Sequence, residues 1–146
     1  MTKYILFALL LLTSCVEDKK TPEAALKDFI ESRLGSVVTR EFIMEKVTGK
    51  MKVSLENVSP EEFAKFLDLR HVKKDSFKIH SQSCQDKKCF VTYSIAYQTR
   101  PEDKTTFATE VKKIAEIVQI DGKWLIADVS NIKTYHEAME PISPLE

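Results

Sequence analysis

Glycine is scarce in this sequence, with three residues among 146. So few glycines leave little scope for a loop that cradles phosphate, and no phosphate-loop, dinucleotide-binding or nucleophile-elbow motif occurs. An excess of charge of one sign is also lacking, because 22 basic residues balance 22 acidic ones. Proteins that bind nucleic acid need a basic face that neutralises phosphates, so we exclude nucleic acid as a partner.

A long apolar run is missing as well. The uncharged run near the start, Tyr4–Leu12, is far shorter than the about 20 apolar residues that cross a bilayer. It follows the basic Lys3 and precedes small residues, which is the pattern of a secretory signal peptide. Residues 1–14 are therefore predicted to be removed during export.

The residues that end this segment, Leu12-Thr13-Ser14-Cys15, resemble the lipobox of bacterial lipoproteins. The resemblance implies a diacylglyceryl thioether on Cys15 and anchoring to the membrane through its acyl chains. The alternative is an ordinary signal peptide with a chance cysteine. Residues 15–20 would form the lipidated cysteine and a short tether. In the sorting system of such lipoproteins, Asp after the cysteine favours the inner membrane; Val16 therefore favours a periplasm-facing domain on the outer membrane.

Cysteine is scarce too, and only Cys84 and Cys89 remain once Cys15 is assigned to the lipid. In an exported protein such an even pair is expected to form a disulfide. The alternative is half of a zinc site. Zinc needs four ligands, and no second Cys or His pair stands at ligand spacing. We therefore expect no metal and no cofactor.

Helical periodicity and capping residues predict three helices in the first half of the chain. The first runs from Thr21 to Gly35, the second from Thr39 to about residue 57, and the third from Ser59 to about Leu69. Gly49 lies inside the second helix and weakens it, so residues 49–57 could fray or partly extend.

Alternating apolar residues then predict four antiparallel strands. They cover about residues 74–84, a segment that includes 91–97, about residues 105–120, and residues 123–132. Asp121-Gly122 predicts a type I′ turn between the last two strands.

This turn fixes a register in which Ile120 pairs with Lys123. Continued along the strands, the register places Ala115 opposite Asp128. In the first hairpin, pairing Cys84 with Cys89 mismatches the apolar faces unless a β-bulge lies between about Ser81 and Cys84.

Two segments carry a resemblance to the NTF2-like (cystatin-like) superfamily. The opening helix Thr21–Ile30 looks like the first helix of its small secreted members, and Val118–Ile126, with Gly-Lys-Trp in it, looks like its penultimate hairpin. The resemblance implies an α+β domain over residues 21–138, with N-terminal helices packed on one face of a curved, mostly antiparallel sheet of about four strands. It also implies a cone-shaped pocket and often a homodimer through the outer sheet face. Residues 139–146 would form an irregular tail.

The predicted register makes Asp128 the best catalytic candidate, because it shares a strand face with Trp124 and Ile126. Burial would raise the pKa of its carboxyl and suit it to general-base chemistry, as in isomerase and dehydratase members of the superfamily. The alternative is that Asp128 reaches solvent or a backbone N–H past a bulge. Tyr93, Tyr97 and Trp124 could line a pocket, although aromatic residues at strand spacing are more often core.

The sequence thus predicts a lipid-anchored envelope protein that is not an enzyme. Its domain would bind a small ligand or, as the favoured interpretation, another envelope protein, with the outer sheet face as the surface for a partner or a second copy. The alternative function is a small-molecule enzyme of the isomerase or dehydratase type that uses Asp128.

Overall fold

The computed structural model describes residues 21–34, 38–68, 72–99 and 106–138. The predicted signal peptide, Cys15 with its tether, and the tail over residues 139–146 lie outside the described residues. Within the described ranges, none of the helices combines the length and the apolar character that a membrane span requires.

Four short helices come first in the chain: α1 (Pro22–Leu34), α2 (Arg40–Met44), α3 (Gly49–Glu56) and α4 (Pro60–Leu67). The predicted capping box at Ser59 is confirmed, because its side chain accepts from the backbone of Glu62 while the Glu62 side chain accepts from the Ser59 backbone. Thr39 also caps its helix, since its hydroxyl oxygen accepts from the N–H of Phe42.

The prediction of one continuous second helix is wrong. Between α2 and α3, residues 46–48 form backbone hydrogen bonds with the sheet. The N–H of Thr48 donates to the carbonyl of Ile126 at 2.9 Å, and the N–H of Ile126 donates to the carbonyl of Lys46 at 3.0 Å. Gly49 then begins α3 with a φ of 54°, a conformation that is costly for residues with a Cβ atom. These bonds to the sheet replace the continuous helix.

Four long antiparallel strands follow in the order β1-β2-β3-β4: β1 (Val72–Gln85), β2 (Lys88–Thr99), β3 (Phe107–Ile120) and β4 (Lys123–Ala138). β4 continues beyond its predicted end near residue 132, because Ala138 still pairs with Phe107. The last two strands therefore form a hairpin that is longer than the sequence predicts.

The predicted turn at Asp121 and Gly122 is confirmed, since both residues have positive φ, 49° and 77°. The predicted pairing holds from Ile120 opposite Lys123 as far as Ile126, which lies opposite Ile117. The turn therefore sets the register only over the part of the hairpin nearest to it.

One extra residue, Ala127, forms a β-bulge that shifts the register beyond it. Asp128 lies opposite Glu116 rather than Ala115, and Val129 lies opposite Ala115. Because side chains alternate between sheet faces, this slip moves Val129 to the inner face, where it packs against the core.

The first hairpin contains two register shifts, between Lys74 and Ser76 and between Ile79 and Ser81. The second shift is the bulge that the sequence requires, although it falls at His80, just before the predicted interval. Cys84 lies opposite Cys89, and a disulfide joins them.

The core lies between the helices and one face of the sheet, called the inner face. Buried helical and loop residues supply one side: Leu26, Phe29, Ile30, Ile43, Val47, Leu55 and Phe63. Buried strand residues supply the other: Val91, Tyr93, Ile95, Ala115, Ile117 and Ile126. Burial of apolar surface between these two layers is the main force that holds the helices on the sheet.

The predicted fold class, an NTF2-like α+β domain, is wrong. The described residues form mostly a four-stranded antiparallel sheet with short helices, broadly α+β, and 54% of them lie in strands and 32% in helices. The helical layer is small because the second predicted helix is interrupted where residues 46–48 bond to β4, and because the strands extend over 12 to 16 residues.

Substitution of Phe29 tests this arrangement. The Phe29 side chain is 1% exposed, so Phe29→Ala should lower the free energy of unfolding by about 3–5 kcal/mol. Phe42→Ala is the matched control, because Phe42 is 41% exposed and should cost far less. Urea denaturation followed by circular dichroism measures both, and equal losses would contradict the assigned core.

Candidate functional site

A cavity of about 500 Å³ lies between α1 and the inner face of the sheet. All four strands and the end of α1 contribute to its walls. Five apolar residues line it: Ile30, Leu34, Val72, Ile95 and Val111. Seven further lining residues carry polar groups: Arg33, Tyr97, Thr99, Lys113, Asn131, Thr134 and His136. The cavity therefore combines an apolar wall with a group of donors, most of them on β3 and β4.

Arg33 is held in place by an aromatic ring. Its guanidinium carbon lies 3.8 Å from the centroid of the Phe66 ring on α4. Burial lowers the pKa of Arg33, and interactions with Tyr93 and Tyr97 oppose this effect. Its Nε atom is buried and has no acceptor among the described residues. Arg33 is therefore a fixed cation with an unused donor at the cavity.

Lys113 brings a second cation to the same cavity from β3. Burial lowers the pKa of Lys113, and the positive charge of Arg33 lowers it further. Both cations line the same cavity. The described part of the chain gives neither of them an ion pair with a carboxylate.

Hydrogen bonds orient three of the remaining polar residues: His136, Asn131 and Thr134. The Nδ1 atom of His136 and the hydroxyl oxygen of Thr109 lie 3.0 Å apart in a hydrogen bond. The side-chain amide of Asn131 donates to the hydroxyl of Thr134 at 2.9 Å. These bonds orient one wall of the cavity and leave its two cations as the groups without a partner of opposite charge.

The structure separates the three aromatic residues that the sequence groups into a pocket. Tyr97 lines the cavity, whereas Tyr93 is buried in the core beside the ring of Phe77. Trp124 lines a different cleft, next to Lys46 and the β3–β4 turn. Strand alternation predicts the common face of the two tyrosines, but Trp124 lies at the other end of the sheet.

Asp128 lies away from the cavity walls. The bulge at Ala127 turns the backbone so that Oδ1 of Asp128 accepts a hydrogen bond from the N–H of Val129 at 2.8 Å. This is the backbone arrangement that the sequence offers as the alternative to a general base. The structure brings neither Tyr93 nor Tyr97 to Asp128 as an adjacent donor.

The disulfide lies at the tip of the β1–β2 hairpin, far along the strands from the cavity. Cys89 is buried and Cys84 is exposed. Among the residues described, no cluster of His, Cys, Asp or Glu has a geometry suited to a metal ion. Cys15, the predicted lipidation site, lies outside the described residues.

The sequence reasoning missed both cations of the cavity, although each interrupts a pattern. Arg33 follows Leu26, Phe29 and Ile30 at helical spacing, where another apolar residue is expected. Lys113 stands between Val111 and Ala115 in the alternation of β3. A charge within an apolar stripe is the signal that would have identified them.

The outer face of the sheet is less apolar than the predicted register implies. The bulge moves Val129 to the inner face, and Glu116 pairs with Lys88 on the outer face at 2.7 Å. Phe90 and Ile120 are exposed on the sheet. A partner or second copy on the outer face stays a prediction.

No family model and no curated protein matches this chain. Its fold is similar to the solution structure of a SEC-C motif containing protein from Rhodopseudomonas palustris. The TM-score is 0.57, the sequence identity is 9%, and the match covers 79% of this chain and 81% of that chain. At this identity the similarity shows the fold alone.

The buried phenol of Tyr93 gives a prediction for alkaline pH. Burial raises the pKa of Tyr93 to about 12, although the charge of Arg33 lowers it. Unfolding returns the phenol to a pKa near 10, so its contribution to stability is complete below about pH 10. That contribution is lost as the pH rises through 12, at up to about 1.4 kcal/mol per pH unit.

Tyr93→Phe should remove this part of the pH dependence. Urea denaturation between pH 9 and 12 measures it as a shallower fall in the free energy of unfolding than in the wild type. Tyr135→Phe, at an exposed position, is the control and should follow the wild type. A Tyr93→Phe curve parallel to the wild-type curve would contradict the effect of burial.

Proposed function

We propose that this chain is a lipid-anchored protein of the bacterial envelope whose domain is a non-catalytic binding module. The domain holds a small ligand in the cavity between α1 and the sheet. Its place is the periplasm-facing side of the outer membrane, where acyl chains on Cys15 attach it. The proposal contains no catalytic step and no cofactor.

The observation that carries the binding role is the cavity itself. Its volume of about 500 Å³ falls within the range of about 300–1,000 Å³ that small-molecule sites occupy in proteins. Apolar side chains line it with a few polar groups, a combination that typically binds and orients small organic molecules. Arg33 and Tyr97 belong to these polar groups.

Two observations support the envelope location. Leu12-Thr13-Ser14-Cys15 has the form of a lipobox behind a short apolar run. The disulfide between Cys84 and Cys89 is of a kind that persists in oxidising compartments such as the periplasm. The tether over residues 15–20 would reach about 20 Å when extended, so the cavity would work close to the membrane surface.

The anchor has a direct test in the native protein. Mass spectrometry of the chain purified from membranes should find an acylated mature terminus at Cys15. Cys15→Ser should abolish acylation and release the protein from the membrane fraction. Ser14→Ala, which keeps a small residue before the cysteine, should remain acylated. A free thiol at Cys15, or a mature chain that begins elsewhere, would contradict the anchor.

The binding role is tested by filling the cavity. Thr134 is exposed at the cavity wall, so Thr134→Trp should place a large side chain in the ligand space. We expect the neutral dye Nile red to fluoresce on binding the wild type, and Thr134→Trp to weaken binding at least tenfold. Ser130→Trp is the matched control, because Ser130 is exposed and pairs with Ile114 on the outer face.

This experiment can also refute the binding role. Absence of dye binding to the wild type, or equal binding by both tryptophan variants, would contradict the assignment of the cavity as a ligand site. Circular dichroism of each variant establishes that the sheet is intact.

A further inference from the structure

Arg33 and Lys113 differ from the other cations near the core in having neither a carboxylate nor a carbonyl partner among the described residues. The half-buried Arg40 donates to the carbonyl of Leu55 at 2.9 Å. Lys46 pairs with Asp28, and Lys74 pairs with Glu31 at 3.6 Å. In contrast, the described residues provide no carboxylate for either cavity cation. Charged groups that leave water are normally paired, so two unpaired cations at one cavity need a physical explanation.

Arg33 is positioned for binding rather than for packing alone. The guanidinium carbon of Arg33 lies 3.8 Å from the centroid of the Phe66 ring, and a guanidinium group that stacks on a ring keeps the N–H groups at its edge free to donate. The buried Nε atom lacks an acceptor in the described structure. A fixed guanidinium with a free donor is suited to a carboxylate or phosphate oxygen, because its N–H groups match the geometry of these anions.

Lys113 cannot neutralise this charge and adds to it. It stands on β3 between Val111 and Ala115, on the inner face. Arg33 lines the same cavity, so the folded chain brings like charges together, and the charge of Arg33 lowers the pKa of Lys113. Such a pair is unfavourable in the empty cavity and becomes favourable when an anion lies between the two groups.

We propose that the cavity binds an apolar small molecule with one anionic headgroup, a carboxylate or a phosphate monoester, held by Arg33 and Lys113. The apolar part of the ligand lies against Ile30, Leu34, Ile95 and Val111, which line the same cavity. This inference rests on the binding role proposed above and specifies the class of ligand.

Four water-soluble probes that share one apolar group test the inference. They are 4-phenylbutanoate, 4-phenylbutyl phosphate, the neutral 4-phenylbutan-1-ol and the cationic 4-phenylbutylamine. Calorimetric titration of the purified full chain gives their dissociation constants. We expect at least one anion to bind tenfold or more tightly than the alcohol, and the amine to bind more weakly than the alcohol. The tighter anion identifies the headgroup.

Substitutions of the two cations provide the second part of the test. Arg33→Gln and Lys113→Gln should each reduce the preference for the anion over the alcohol to about threefold or less. Lys112→Gln is the matched control, because Lys112 neighbours Lys113 but is exposed on the outer face. Lys113→Arg keeps the charge and should keep the preference, and it serves if either glutamine variant fails to fold.

The outcomes separate this inference from the binding role on which it rests. Equal binding of the anions and the alcohol would overturn the anionic ligand and leave a binding site for neutral molecules. A preference for the anion that survives in both glutamine variants would overturn the assignment of the two cations. Failure of all four probes, together with failure of Nile red, would overturn the binding role itself.

Discussion

The packing of α1 against the inner face of the sheet is the contact on which the rest of the structure depends. The buried side chains of Leu26, Phe29 and Ile30 on α1 pack in the core. The same helical spacing then carries Arg33 beyond the core, over the cavity that the long strands leave open. One helix therefore supplies both the stability of the domain and a charged group of its candidate site.

Local signals were sufficient for much of the fold, and failed where the chain departs from regular pairing. Asp121-Gly122 correctly predicts the turn and the adjacent pairs. The bulge at Ala127 leaves no signature in the alternation of residues, yet it reverses the faces of residues 128–131, before a second register shift at Ile132. Likewise, apolar residues keep helical spacing through residues 46–48, although this segment is not helical. Its backbone partners lie on Ile126, and the spacing of residues in the sequence does not reveal them. The same limits explain the wrong NTF2-like assignment, which relied on short motifs at the two ends of the domain.

The candidate site was less predictable than the fold, because its residues come from distant parts of the chain. Tyr97 was expected at a pocket through strand alternation. Asp128 was predicted as the catalytic candidate from a register that the bulge at Ala127 changes. Arg33 and Lys113 share no sequence motif. They come together only because the fold brings α1 and β3 to one cavity. Their common feature is a charge at an apolar position, which a search for catalytic motifs passes over.

The short parallel bridge between Val47 and Ile126 has a further consequence for how the protein behaves under stress. β4 is an edge strand of the sheet. The unpaired backbone N–H and C=O groups of an exposed edge strand can form hydrogen bonds with another chain. Residues 46–48 form backbone hydrogen bonds with this edge at Ile126. Detachment of the α2–α3 segment would therefore loosen the helical layer and also expose this part of β4 to pairing with another copy of the chain. The backbone pairing of residues 46–48 with Ile126 thus protects this part of the edge strand from aggregation.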